Sequence, residues 1–107
     1  MNLPNILQEF LKAQELFDSI SFSNCFSEQA SVFDEGKIYT GKEEIRQWNE
    51  KSNNEYKTLF EVKDFSVKDN TTVLRINISG SFDGSPAMLN FHFRTKNDLI
   101  TALAITE

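Results

Sequence analysis

The sequence holds a single cysteine, Cys25, so no disulfide can form within the chain. Its neighbours Phe22 and Phe26 make it a buried thiol acting as a small hydrophobe. Basic charge is short. Eleven Lys and Arg stand against 16 Asp and Glu, for a net charge of −5. That balance argues against sequence-independent nucleic-acid binding, which needs a basic face. It equally disfavours an anionic membrane surface. No apolar run approaches the length of a membrane span. The opening MNLPNILQEF has neither a positive region nor an apolar core of signal-peptide length, so a cytoplasmic location is expected. Histidine is represented only by His92. No His, Cys and carboxylate cluster has metal-ligand spacing, and Glu43–Glu44 reads as a solvated first helical turn. Nor is there a Gly-rich phosphate loop or a legible nucleophile–base pair, so neither metal nor cofactor is expected. With no linker, repeat or low-complexity tract in 107 residues, one domain spanning 1–107 is expected.

What the chain has in quantity is phenylalanine, ten in all. Small domains bury a modest fraction of their surface, and large apolar rings help compensate. Helical spacing comes first. Pro4 suits a helix start, and Ile6, Phe10, Ala13 and Phe17 recur on one face of a helix from about Pro4 to Leu16. Asp18 is placed to cap a short second helix carrying Phe22, Cys25 and Phe26. Glu28–Gln29 reads as a turn, Ser31–Asp34 as a short strand ended by Glu35–Gly36, and Lys37–Tyr39 as another. Thr40-Gly41-Lys42-Glu43 matches the capping box and opens a helix that puts Ile45 and Trp48 on one face and ends near Asn53–Asn54.

From Tyr56 onward the period is two. Phe60 and Val62 oppose Phe65 and Val67 in parity, so a strand over Tyr56–Lys68 needs a bulge near Asp64. Asp69–Asn70 turns the chain. Leu74, Ile76 and Ile78 then alternate with Val73, Arg75 and Asn77. After the loop Asp83–Pro86, Leu89, Phe91 and Phe93 alternate with Met88, Asn90, His92 and Arg94. Lys96–Asp98 turns once more into a last strand over Leu99–Thr106. Helices in front and strands behind define an α+β class. Long twisted strands curl, which predicts a curved antiparallel sheet capped by about three N-terminal helices. The concavity would be lined by Phe91, Phe93 and Leu103 from the sheet, with Phe10, Phe17, Tyr39 and Trp48 in front. Filled, it is a core; partly empty, it is a ligand site.

The run Cys25–Gly36 followed by Tyr39–Trp48 resembles the nuclear transport factor 2-like superfamily, most of all its SnoaL-like and ketosteroid-isomerase-like bacterial branches. The shared pattern is Ala30-x-Val32-x-Asp34, then Gly41-x-x-x-Ile45-x-x-Trp48. The stretch Gly84–Phe93 and the ending Asp98-Leu99-Ile100 continue the likeness over nearly the whole chain. The resemblance implies a cone-shaped, cystatin-like fold with an internal pocket, commonly homodimeric. It does not fix function, because the superfamily holds isomerases, cyclases, dehydratases and non-catalytic modules.

Carried over position by position, Asp34 falls where ketosteroid isomerases keep a general base, a role that desolvation would serve. The positions of the two enolate-stabilising donors read Phe10 and Phe93, which have no proton to give. Steroid isomerase activity is therefore not expected. SnoaL-like cyclases use an Asp/His pair, and the strand parity of His92 turns it away from Phe91 and Phe93. Two readings follow. One is a homodimeric module binding a small apolar or aromatic molecule in the cone. The other is a minimal isomerase, cyclase or lyase with Asp34 as base on a carbonyl-activated substrate. Asp34 has a structural alternative, bonding backbone amides around Glu35–Gly36. Arg75, Asn77, Ser79, Asn90, His92 and Arg94, mixed with Val73 and Met88, form the expected dimer face on the outer side of the sheet.

Overall fold

A computed structural model describes residues 3–107. These form α1 (Asn5–Glu15), α2 (Ser19–Asn24), β1 (Phe26–Asp34), β2 (Lys37–Thr40), α3 (Gly41–Tyr56), β3 (Leu59–Lys68), β4 (Thr71–Ser79), β5 (Ala87–Lys96) and β6 (Leu99–Thr106). The strands make one six-stranded sheet in the order β2-β1-β6-β5-β4-β3. Every pairing is antiparallel except β1 with β6, which run parallel. No described helix is long and apolar enough to cross a membrane.

The curvature has identifiable sources. The ladder slips between Val62 and Asp64, where β3 carries an extra residue against β4. That bulge brings Phe65 onto the same face as Phe60 and Val62, opposite buried Leu74, Ile76 and Ile78. A second irregularity lies between Phe26 and Ser31 in β1, and a third between Arg94 and Thr95 in β5. Bulges bend strands and sharpen their twist, so the sheet curls without closing. The hairpin turns use left-handed residues: Glu35–Gly36, Asp69–Asn70 and Asn97–Asp98 all have positive φ, the geometry of tight two-residue hairpins.

The helices lie on the concave side. Phe10 of α1 is fully buried, with its ring 4.8 Å from Phe22, 5.0 Å from Phe93 and 6.2–6.4 Å from Phe26, Phe60 and Phe91. It touches α2, β1, β3 and β5 at once. Aromatic pairs at such spacing add about 0.5–1.5 kcal/mol each beyond area burial.

Several local expectations change. Glu28 and Gln29 lie inside β1 rather than in a turn, both exposed, in the stretch where the β1–β6 register slips. Phe26 starts that strand instead of ending α2. Helix α3 runs on past Asn53–Asn54 to Tyr56, because Asn53 buries its amide against α1 and α2 and left-handed Lys57 stops the helix instead. The box at Thr40 is half made and shifted by one residue. Glu44 Oε1 accepts the Thr40 N–H at 2.9 Å, while Glu43 pairs with Arg46. The strand expected from Tyr56 begins at Leu59.

A polar cluster sits where the three helices meet. Gln14 donates to Asn53 Oδ1 and to the Thr58 carbonyl, and accepts from Asn49 Nδ2 at 2.8 Å. Ser19 donates to Asn49 Oδ1, and so does Asn53 Nδ2. All are buried, and no buried side-chain polar atom among the described residues lacks a partner. A complete network fixes one arrangement of the helical lid, since orphaning a buried group costs about 1–3 kcal/mol. Gly80 completes the frame. A Cβ there would meet the Tyr56 carbonyl oxygen at 2.6 Å, so only glycine lets the end of β4 approach the end of α3.

Candidate functional site

Asp34 ends β1, two residues beyond Val32, so both project onto the concave face. Across the hairpin Val32 pairs with Tyr39 and Asp34 with Lys37. Trp48 comes down from α3, one turn after buried Ile45. Its ring stacks on Tyr39 with centroids 5.6 Å apart and planes at 30°. Asp34, Tyr39 and Trp48 are all half-buried.

Burial raises the Asp34 carboxyl above the ordinary value of 3.8, the neighbouring Glu35 carboxylate adds to this, and the Trp48 indole N–H pulls the other way. Burial also raises the Tyr39 phenol, with Asp34 and Glu35 contributing. No backbone amide around Glu35–Gly36 holds the Asp34 carboxylate. Among the described residues no lysine or arginine forms an ion pair with it.

The structure sorts the expected pocket residues into two groups and a single outlier. Phe10, Phe91, Phe93 and Leu103 lie deep in the cone, at most 2% exposed, and their neighbours are other core side chains. Phe91 and Phe93 stand 6.2 Å apart, and Phe60 adds a further ring 5.3 Å from Phe91. Tyr39 and Trp48 stand with Asp34, joined to the interior through Phe22, whose ring is 6.1 Å from Trp48. Phe17 is apart from both, 39% exposed and left-handed at φ 53°. It closes α1 with paired backbone bonds, Phe17 N–H to Gln14 and Asp18 N–H to Ala13, a job glycine usually performs.

Two open hollows lie elsewhere. One of about 380 Å³ opens beside the start of α1, between Glu9, Thr95 and Asp98. A groove of about 150 Å³ runs between Leu11, Leu59 and Val62. Neither reaches Asp34 or the deep phenylalanines Phe10, Phe91 and Phe93. His92 lies on the outer face, its Nε2 2.9 Å from Thr106 Oγ1. The sequence offered no signal for the Glu35 neighbourhood. That carboxylate is close enough to act on Tyr56 as well as Tyr39.

The architecture is shared with solved structures. A candidate polyketide cyclase from Sinorhizobium meliloti is 29% identical over 97% of this chain and 95% of its own, with a TM-score of 0.93. A hypothetical protein with a ketosteroid isomerase-like fold from Catenulispora acidiphila, in complex with trimethylamine, is 16% identical over 99% and 87%, with a TM-score of 0.86. An uncharacterised cystatin-fold protein from Novosphingobium aromaticivorans is 15% identical over 100% and 99%, at 0.82. No protein-family model matches the chain, and no curated protein matches it. The chain shares the cystatin-like fold of these neighbours, consistent with the nuclear transport factor 2-like and SnoaL-like resemblance of its sequence.

Asp34 has a consequence for stability. Its folded pKa lies above its unfolded one, so the folded state keeps the proton to higher pH. Stability therefore falls as pH rises from the ordinary value of 3.8 through the raised folded value, and the loss persists at neutral pH. Well below 3.8 the carboxyl is neutral in both states and contributes nothing. Asp34→Asn should raise the urea midpoint at pH 7, and the gain should vanish in acid. An unchanged or lowered midpoint at pH 7 would contradict this.

Proposed function

We propose that this SnoaL-like domain binds a small molecule with an apolar or aromatic body at the Asp34 end of its cone, without a complete catalytic set. One observation carries the reading: Asp34 is a half-buried carboxylate beside Tyr39 and Trp48, with neither a backbone amide nor a cation among the described residues to hold it. Carboxylates desolvated at a cost to stability concentrate at functional sites. Phe10 and Phe93, which the family resemblance puts at the donor positions, are buried hydrocarbon rings 5.0 Å apart. Losing one such donor costs about 2.7–4 kcal/mol of transition-state stabilisation. The Catenulispora neighbour was solved with a small amine bound, which supports a ligand-holding use of this fold.

The second reading, Asp34 as general base of a minimal isomerase, cyclase or lyase, is favoured by the upward shift of its carboxyl. Screening small apolar and aromatic compounds by amide NMR tests the two together. Binding should move the signals of Asp34, Tyr39 and Trp48, and a 3-oxo-Δ5-steroid should remain unconverted. Turnover of any carbonyl substrate that disappears in Asp34→Asn would favour the enzyme reading. Silence at Asp34 and Trp48 across the screen would overturn the binding one.

The outer sheet face supports a homodimer. The register sets Phe33, Ala104, His92 and Val73 in one row across β1, β6, β5 and β4. Ile38 joins opposite Phe33, and both are exposed. Asn77, Asn90, Arg75 and Arg94 surround this row on the same face. Sedimentation should give twice the chain mass at tens of micromolar; a mass near one chain would refute the dimer.

A further inference from the structure

The charge and ring content at the Asp34 end of the cone narrow the ligand beyond what the binding reading requires, and the inference rests on that reading. Glu35 stands near both Tyr39 and Tyr56, and Glu55 and Asp83 also act on Tyr56. Glu55 pairs with Lys51 at 3.9 Å, whereas Asp34, Glu35 and Asp83 have no ion-pair partner among the described residues. Lys37 is the cross-strand partner of Asp34, yet no ion pair joins them. Trp48 and Tyr39 stack in an offset arrangement and are only half covered; Tyr56, 39% exposed, stands edge-to-face with Phe82 at 6.0 Å.

We propose that this site selects a small organic cation, a substituted ammonium group, with its charge against Asp34 and its alkyl groups on the rings of Trp48 and Tyr39. Each part of the chemistry points the same way. Ring faces carry negative quadrupole potential and attract a positive charge within about 6 Å. A half-buried carboxylate interacts more strongly than a fully solvated one, because the effective dielectric around it is lower. The surrounding carboxylates repel an anionic ligand, and a neutral one gains apolar contact and a hydrogen bond without the charge attraction. An inorganic cation fits poorly, since no group of three His, Cys, Asp or Glu among the described residues is arranged to ligate one. An alkylammonium instead uses one carboxylate and buries its methyl groups on aromatic surface. Its desolvation cost is low for a cation because its charge is spread and weakly hydrated.

Trp48 is the sole tryptophan, so its fluorescence reports on the site directly. The experiment compares choline with its neutral isostere 3,3-dimethylbutan-1-ol, and with phenol, on the full chain at low salt. Choline should change the Trp48 emission saturably and bind about tenfold tighter than the isostere. The preference should shrink as salt screens the partly exposed carboxylates. Asp34→Asn should abolish it while circular dichroism shows the fold retained. Equal affinity for choline and the isostere would overturn the inference and leave the small-molecule reading standing. So would saturable binding of phenol with none of choline. If none of the three perturbs Trp48, both fall together.

Discussion

Helix α1 crosses the concave face of the sheet at Phe10, and the rest of the structure is arranged around that crossing. A single ring there meets aromatic neighbours from α2, β1, β3 and β5. In a chain of 107 residues few contacts join so many elements of distant sequence position. Gln14, one turn further along the same helix, joins Asn49 and Asn53 of α3 in the polar cluster. Apolar contact holds α1 against the sheet, while directional hydrogen bonds fix how α2 and α3 sit against it. Removing either would leave a lid with more than one resting position.

This filling decides which side chains remain open to solvent. In an open cone of this fold the inner sheet face would be a binding wall. Here Phe91, Phe93 and Leu103 spend that face on one another and on Phe10. At the end where β1 turns into β2, Asp34, Tyr39 and Trp48 stay half-covered. Asp34 is the informative residue there, because burial raises its carboxyl and no lysine or arginine among the described residues pairs with it. A chain under selection for folding alone would favour an asparagine or a turn-bonded aspartate at that point.

Much of the sheet was legible because period-two alternation is a direct record of burial. The opposed parity of Val62 and Phe65 required a bulge, and the extra residue stands between Val62 and Asp64. Asp69–Asn70 and Asn97–Asp98 announced their turns by composition and adopt positive φ. The parallel contact of β1 with β6 was not legible, since nothing local to either strand encodes a partner some 70 residues away. Glu28–Gln29 misled because polar pairs mark turns more often than bulged strands. Asn49, Asn53 and Gln14 look like solvent-facing helix residues, and only tertiary packing makes them buried. Phe17 fell on the apolar stripe of α1 by spacing, but the helix ends before reaching it, so its ring leaves the face that the stripe defines. At the candidate site, Asp34, Tyr39 and Trp48 were expected from sequence to face one pocket with the deep phenylalanines; their separation from those rings was not legible.

The cone is filled by its own side chains, and the half-covered Asp34, Tyr39 and Trp48 stand at its rim. Xenon occupies apolar cavities that water leaves dry, and methyl NMR under xenon pressure reads them residue by residue. The account predicts no saturable shifts at Leu74, Ile76 or Leu103, which line the interior together with Phe10 and Phe93. Saturable shifts at those methyls would reveal an empty apolar chamber behind Asp34 and contradict it.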